Sequence, residues 1–235
     1  MGEMPGSPHY SSKKLGPAEV LEEDEIRRLL STFSRAPSSV RDRALVMLLW
    51  RTGLRISEAL ALELRDVDLD GPAPKLRVRD GKGGNQRTLA IHQEAVAQLE
   101  RWLAIREKLG LRRRRLVFVT ISAPDAGGPM GTAAVREMLR RRAQKAGLGR
   151  VHPHAFRATL AVELMQEGKS MTAIRDVLGH SNIAQTDAYL RRVHPQDAID
   201  ALLNRGDPDP REQITAALDR LSDAQIAQLA AVLQS

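Results

Sequence analysis

The 235-residue sequence contains no cysteine and few aromatic residues: three Phe, two Trp and two Tyr. Without cysteine there can be no disulfide framework, no thiolate zinc site and no cysteine nucleophile, which suits a reducing cytosol. Long apolar runs are missing too. No stretch approaches the ~20 apolar residues that span a bilayer, and the first 30 residues hold no apolar signal segment. Neither a membrane partner nor secretion finds support, and a cytoplasmic protein is expected.

What is present is an ordinary globular composition, 42% hydrophobic and 28% charged, enough to bury a real core. The net charge is +7 and the pI near 10.2, the electrostatic footprint of a protein that binds a polyanion. That charge is uneven. From Arg205 onward three arginines face five acids, so the last 31 residues carry −2 and residues 1–204 carry +9.

Residues 1–16 are rich in Gly, Pro and Ser and read as a flexible arm. After Pro17, the acids Glu22 to Glu25 precede Ile26, Leu29 and Leu30, which predicts a helix with carboxylates at the positive end of its dipole. Ser39 and Asp42 stand at capping-box spacing before the apolar run Ala44 to Trp50, and Gly53 suits the end of that mostly buried helix. Between Leu76 and Ile91, alternation on both sides of Asp80-Gly81-Lys82-Gly83-Gly84 predicts a β-hairpin with a glycine-rich tip. Everything beyond it reads as helical, punctuated by Gly147, Pro153, Gly168, Gly179, Pro195 and Gly206. The expected fold is therefore α+β, mostly α-helical, with one small antiparallel sheet. One domain covers residues 17–204, and an amphipathic tail at 205–235 needs a partner surface, in its own chain or another's.

Two local patterns fail on context. The Gly81-Lys82-Gly83-Gly84 tip lacks the Ser or Thr after Lys82, and the strand-to-helix setting, that a phosphate loop requires. His152 and His154 have no third ligand paired with them in sequence, so no metal and no cofactor is expected.

Arg55 in TGLRISEALAL, Lys82 in DGKGGNQR, His154-x-x-Arg157 in HPHAFRATLA, His180 in VLGHSN and Tyr189 nine residues later form an ordered series. It closely resembles the active-site series of the tyrosine recombinase (phage integrase) family, over about residues 17–192. The resemblance implies the catalytic-domain fold of that family and site-specific strand exchange in double-stranded DNA through a covalent 3′-phosphotyrosine. It also implies a homo-oligomer, a tetramer on two DNA sites with each C-terminal segment docked on a neighbour, in a bacterial or phage-encoded, nucleoid-associated protein. Ala158 stands where members commonly carry His. Members also carry an N-terminal helical domain that closes a clamp on DNA, so the sequence is expected to be either a fragment or a naturally short member.

The chemistry fits these residue types. Attack on a phosphodiester gathers negative charge on the nonbridging oxygens, and Arg55 and Arg157 offer planar forks of donors to them, with His180 as a further donor. Tyr189 is the expected nucleophile, His154 its base, and Lys82 on the hairpin tip the acid that protonates the leaving 5′ oxygen. Glu58, three residues after Arg55, falls on the same helical face and resembles the family's supporting carboxylate. Arg112, Arg113, Arg114 and Arg115, with Arg140, Arg141 and Arg142, are expected to follow the DNA backbone. A type IB topoisomerase, and a DNA-binding regulator that kept the fold without the activity, stand as alternatives.

Overall fold

The computed structural model describes residues 20–79, 86–122 and 124–179. The chain divides into two compact units, Met1–Val193 and His194–Ser235, and all the described residues lie in the first. Lys82, His180 and Tyr189 lie outside the described residues, as do the arm, the hairpin tip and the tail.

Helix α1 (Glu23–Ser31) opens on its acids, with the Glu22 amide donating to Glu25 Oε2 at 3.0 Å, and buries Ile26, Leu29 and Leu30. Helix α2 (Pro37–Thr52) is the centre of the unit: every residue from Ala44 to Trp50 is buried. A helix apolar all round has to be covered on several sides, and α2 packs against α3 (Ile56–Ala61), α4 (Gln93–Lys108) and α6 (Pro153–Gln166). It starts earlier than the Ser39–Asp42 capping box predicts. Pro37, whose φ is preset for a helix and whose missing N–H would be unpaired there anyway, takes the first position after Ala36. Ser39 and Asp42 are thereby buried inside the helix, where Ser39 accepts from Arg142 and Asp42 from Arg41.

The hairpin strands are β2 (Lys75–Val78) and β3 (Arg87–Ala90), in register Leu76↔Leu89 and Val78↔Arg87. Leu76, Val78 and Leu89 face the core. A third strand, β1 (Val67–Asp68), pairs antiparallel with β2 after a 3₁₀ turn at Leu64–Asp66. The expectation of helix throughout the rest is corrected over residues 109–131. Buried Val117, Phe118 and Val119 run through irregular chain that bridges Glu63 to Leu116 and Val119 to Pro129. Buried Arg106 holds this chain by donating to the carbonyls of Arg114 and Leu116, and Trp102 Nε1 donates to Val117 O at 2.9 Å.

Helix α5 (Thr132–Lys145) follows, then α6, then α7 (Met171–Leu178), which ends on Gly179 at φ 63°. Before α1, the chain is fastened to α6 at both backbone groups of one residue. The Leu21 amide donates to Thr159 Oγ1 at 2.8 Å, and that hydroxyl donates to Leu21 O at 3.2 Å.

Candidate active site

The α2–α3 corner brings the first arginine into place. Helix α2 ends at Gly53 with φ +63°, a left-handed conformation that a side chain disfavours. The corner is also tight: a Cβ on Gly53 would lie 2.8 Å from Leu178 Cδ2 and 2.9 Å from Leu160 Cδ2. Glycine therefore lets α2 meet α6 and α7 closely, and Arg55 follows two residues later as the residue preceding α3.

Arg157, on α6, is only 2% exposed. Its Nη1 donates to Gly53 O at 2.6 Å and its Nη2 to Leu178 O at 2.5 Å, so one cation satisfies carbonyls at the C-terminal ends of two helices, where the dipoles favour positive charge. Burial first, and the charge of Arg55 second, pull its pKa down to about 9, and it remains a cation at neutral pH. Arg55 is more open. Its Nη1 donates to Glu58 Oε1 at 2.9 Å and its Nη2 to Gly179 O at 3.2 Å.

Glu58 is largely buried and accepts from two arginines: from Arg55 through its backbone N–H and Nη1, and from Arg87 through Nη1 at 3.1 Å and Nη2 at 2.8 Å. Burial pushes its pKa up, but the hydrogen bonds from Arg87 and Arg55 outweigh it and hold the carboxyl below its ordinary range. Arg87 also donates Nε to Val177 O at 3.2 Å. Three consecutive carbonyls at the end of α7, those of Val177, Leu178 and Gly179, thus accept from Arg87, Arg157 and Arg55, each on a different element. One carboxylate among three guanidiniums leaves the group with a surplus of positive charge.

His154 lies in the first turn of α6, one turn before Arg157. Burial, then the charges of Arg157, His152 and Arg55, lower its pKa, so the ring is neutral at pH 7 and able to take a proton. Among the described residues no group of three His, Cys, Asp or Glu side chains could hold a metal ion. Chemically, the arrangement sets a surplus of fixed positive charge near a neutral imidazole, which suits an anionic group.

Of the residues singled out by sequence, Arg55, Glu58, His154 and Arg157 come together here. Arg112 to Arg115 line a shallow groove with Glu63, Leu64 and Arg65, and Arg112 pairs with Glu107 and Arg115 with Glu63. Arg140 and Arg141 are exposed beside Glu137. Arg142 turns inward instead, donating to Thr32 O at 2.5 Å and Ser39 Oγ at 2.8 Å with its guanidinium 4.5 Å from the Phe33 ring centroid. Arg87 was not among the residues singled out. Its partners lie 29 and 90 positions away, and nothing local marks it.

The phage integrase family model matches residues 19–195. Tyrosine recombinase XerC of Actinobacillus pleuropneumoniae serotype 7 is 32% identical over 72% of this chain and 53% of its own length. Tyrosine recombinase XerD of Mycobacterium tuberculosis H37Rv is 34% identical over 68% and 51%. The crystal structure of XerA recombinase superimposes with a TM-score of 0.63 at 31% identity, over 76% of this chain and 64% of that one. The XerH recombinase in its post-cleavage complex with palindromic difH substrate shares the fold, with a TM-score of 0.66 at 22% identity, over 80% and 53%. The chain spans about half the length of the curated relatives it matches.

Proposed function

Because the chain belongs to the phage integrase family, we propose that it is a site-specific DNA recombinase that cuts and rejoins duplex DNA through a 3′-phosphotyrosine. The observation that carries this reading is the convergence of Arg55 and Arg157, from separate helices, on the end of α7, with neutral His154 one turn away.

Tyr189 Oη attacks the scissile phosphorus, forming the tyrosyl P–O bond while the bond to the 5′ oxygen breaks. The phenolic proton passes to His154, and the departing oxygen takes a proton from Lys82 and leaves as a 5′-hydroxyl. Arg55, Arg157 and His180 hold the charge that builds on the nonbridging oxygens; removing one such donor costs on the order of 10²- to 10³-fold in rate. The aryl phosphate ester conserves the bond, so a 5′-hydroxyl from a second strand reverses the step and completes exchange. Arg112 to Arg115, Arg140 and Arg141 follow the phosphate backbone, while Arg142 serves the fold. The working form is a tetramer on two sites, with residues 205–235 docked on a neighbour, acting on DNA in the cytoplasm of a bacterium. A religating topoisomerase and an inactive DNA-binding remnant are not favoured, since the named relatives are recombinases.

The test is denaturing capture of covalent adducts from a pool of nicked duplexes of random sequence, followed by sequencing of the DNA recovered. Wild-type protein yields an enriched sequence, and Tyr189→Phe yields none while still binding the recovered duplex. An undiminished adduct in Tyr189→Phe sinks the assignment, and relaxation of supercoils without recombinants favours the topoisomerase.

A further inference from the structure

Resting on the strand-exchange reading above, we propose that Arg87 is a positioning residue for phosphoryl transfer, holding Glu58 and the end of α7 in the arrangement that leaves Arg55 available to the phosphate.

Arg87 is the first residue of β3, opposite Val78, and its side chain is 15% exposed against 42% for Arg55. Its two Nη atoms meet the two oxygens of Glu58 as a fork, and Nε reaches Val177 O. This is planar, bidentate recognition that a lysine ammonium cannot reproduce. Gly179 makes room for it: a Cβ there would lie 2.5 Å from Arg87 Nη1. One guanidinium therefore links three elements, namely the hairpin strand that follows the Lys82 tip, the helix beginning after Arg55, and the end of α7 just before His180.

The consequence for Arg55 follows from how one carboxylate is divided between two cations. With Arg87 in place, Glu58 gives Arg55 a single side-chain contact and orients it through the backbone N–H as well. Without Arg87, both oxygens of Glu58 are left to Arg55 alone. A closed pair would then form, drawing the guanidinium away from the position a phosphate would occupy and cancelling its charge. All three nitrogens of Arg87 are spent on Glu58 and Val177 O, so it acts through Glu58 rather than on the substrate.

The experiment uses the 235-residue chain and the duplex recovered by adduct capture, comparing wild type, Arg87→Ala and Arg87→Lys. Single-turnover adduct formation falls roughly 10- to 100-fold in Arg87→Ala, the scale of a small misplacement of a reacting group, and falls in Arg87→Lys as well. Duplex affinity and its salt dependence stay unchanged in both variants. Glu58→Gln in the Arg87→Ala background restores part of the rate, because a neutral amide cannot close an ion pair with Arg55. Weaker binding with a salt slope reduced by about one would make Arg87 a phosphate contact and overturn the proposal. A slower rate that Glu58→Gln leaves unrestored would make it a structural residue only and also overturn it. If Arg87→Ala does not fold, Arg87→Lys alone decides: a wild-type rate overturns the proposal. A wild-type chain that forms no adduct defeats the strand-exchange reading itself, an outcome distinct from failure confined to the Arg87 variants.

Discussion

Arg157 donates to the carbonyl of Leu178 at 2.5 Å, joining the middle of α6 to the last residue of α7 two positions before His180. The same guanidinium caps α2 at Gly53, so it organises the site as well as contributing to it. Arg157→Ala orphans two carbonyls that each cost about 1–3 kcal/mol when left unpaired, and the expected loss of stability is roughly 2–6 kcal/mol. Urea unfolding checks this. Arg157→Lys should lose less, since an ammonium can reach one carbonyl but not both.

The Gly53 corner makes a second prediction, with an internal control. Gly53→Ala is expected to lose about 2–4 kcal/mol, combining a left-handed backbone with overpacking against Leu160 and Leu178. Gly147 has φ +67° but open space around it, so Gly147→Ala should lose only about 1 kcal/mol from backbone strain. Equal losses in the two unfolding curves would show that the corner is not tight.

His154 sets a pH dependence whose sign is fixed by the direction of its shift. Its pKa is lower in the folded chain than the ordinary value of about 6.5, so on acidification the unfolded chain takes up this proton first. Stability attributable to the neutral ring is fully present above about pH 6.5 and is lost as the pH falls through the lower folded value. Between about pH 7.5 and about pH 5, wild type should therefore lose more stability than His154→Gln. Parallel losses in the two proteins would contradict the depressed pKa.

Much of this was written locally. Alternation at Leu76 and Val78 gave the hairpin, and Gly53 marked the end of α2, because strand pleat and the left-handed cap each leave a one-residue signature. Strand β1 has only two residues and no period to detect. The run Val117 to Val119 is too short for periodicity to choose between strand and helix, and irregular chain pinned by Arg106 and Trp102 won. Three adjacent arginines, Arg140 to Arg142, span about 200° of a helix, so they could not all face one way, and the third meets Thr32 and Ser39. Arg87 depended on tertiary pairing with Glu58, which no window around residue 87 contains.

The three arginines that clasp Val177, Leu178 and Gly179 also fix the point from which the reach to Tyr189 is counted. Whatever path residues 180–189 take, the Cα of Tyr189 stays within about 35 Å of that of Gly179, the full stretch of ten residues.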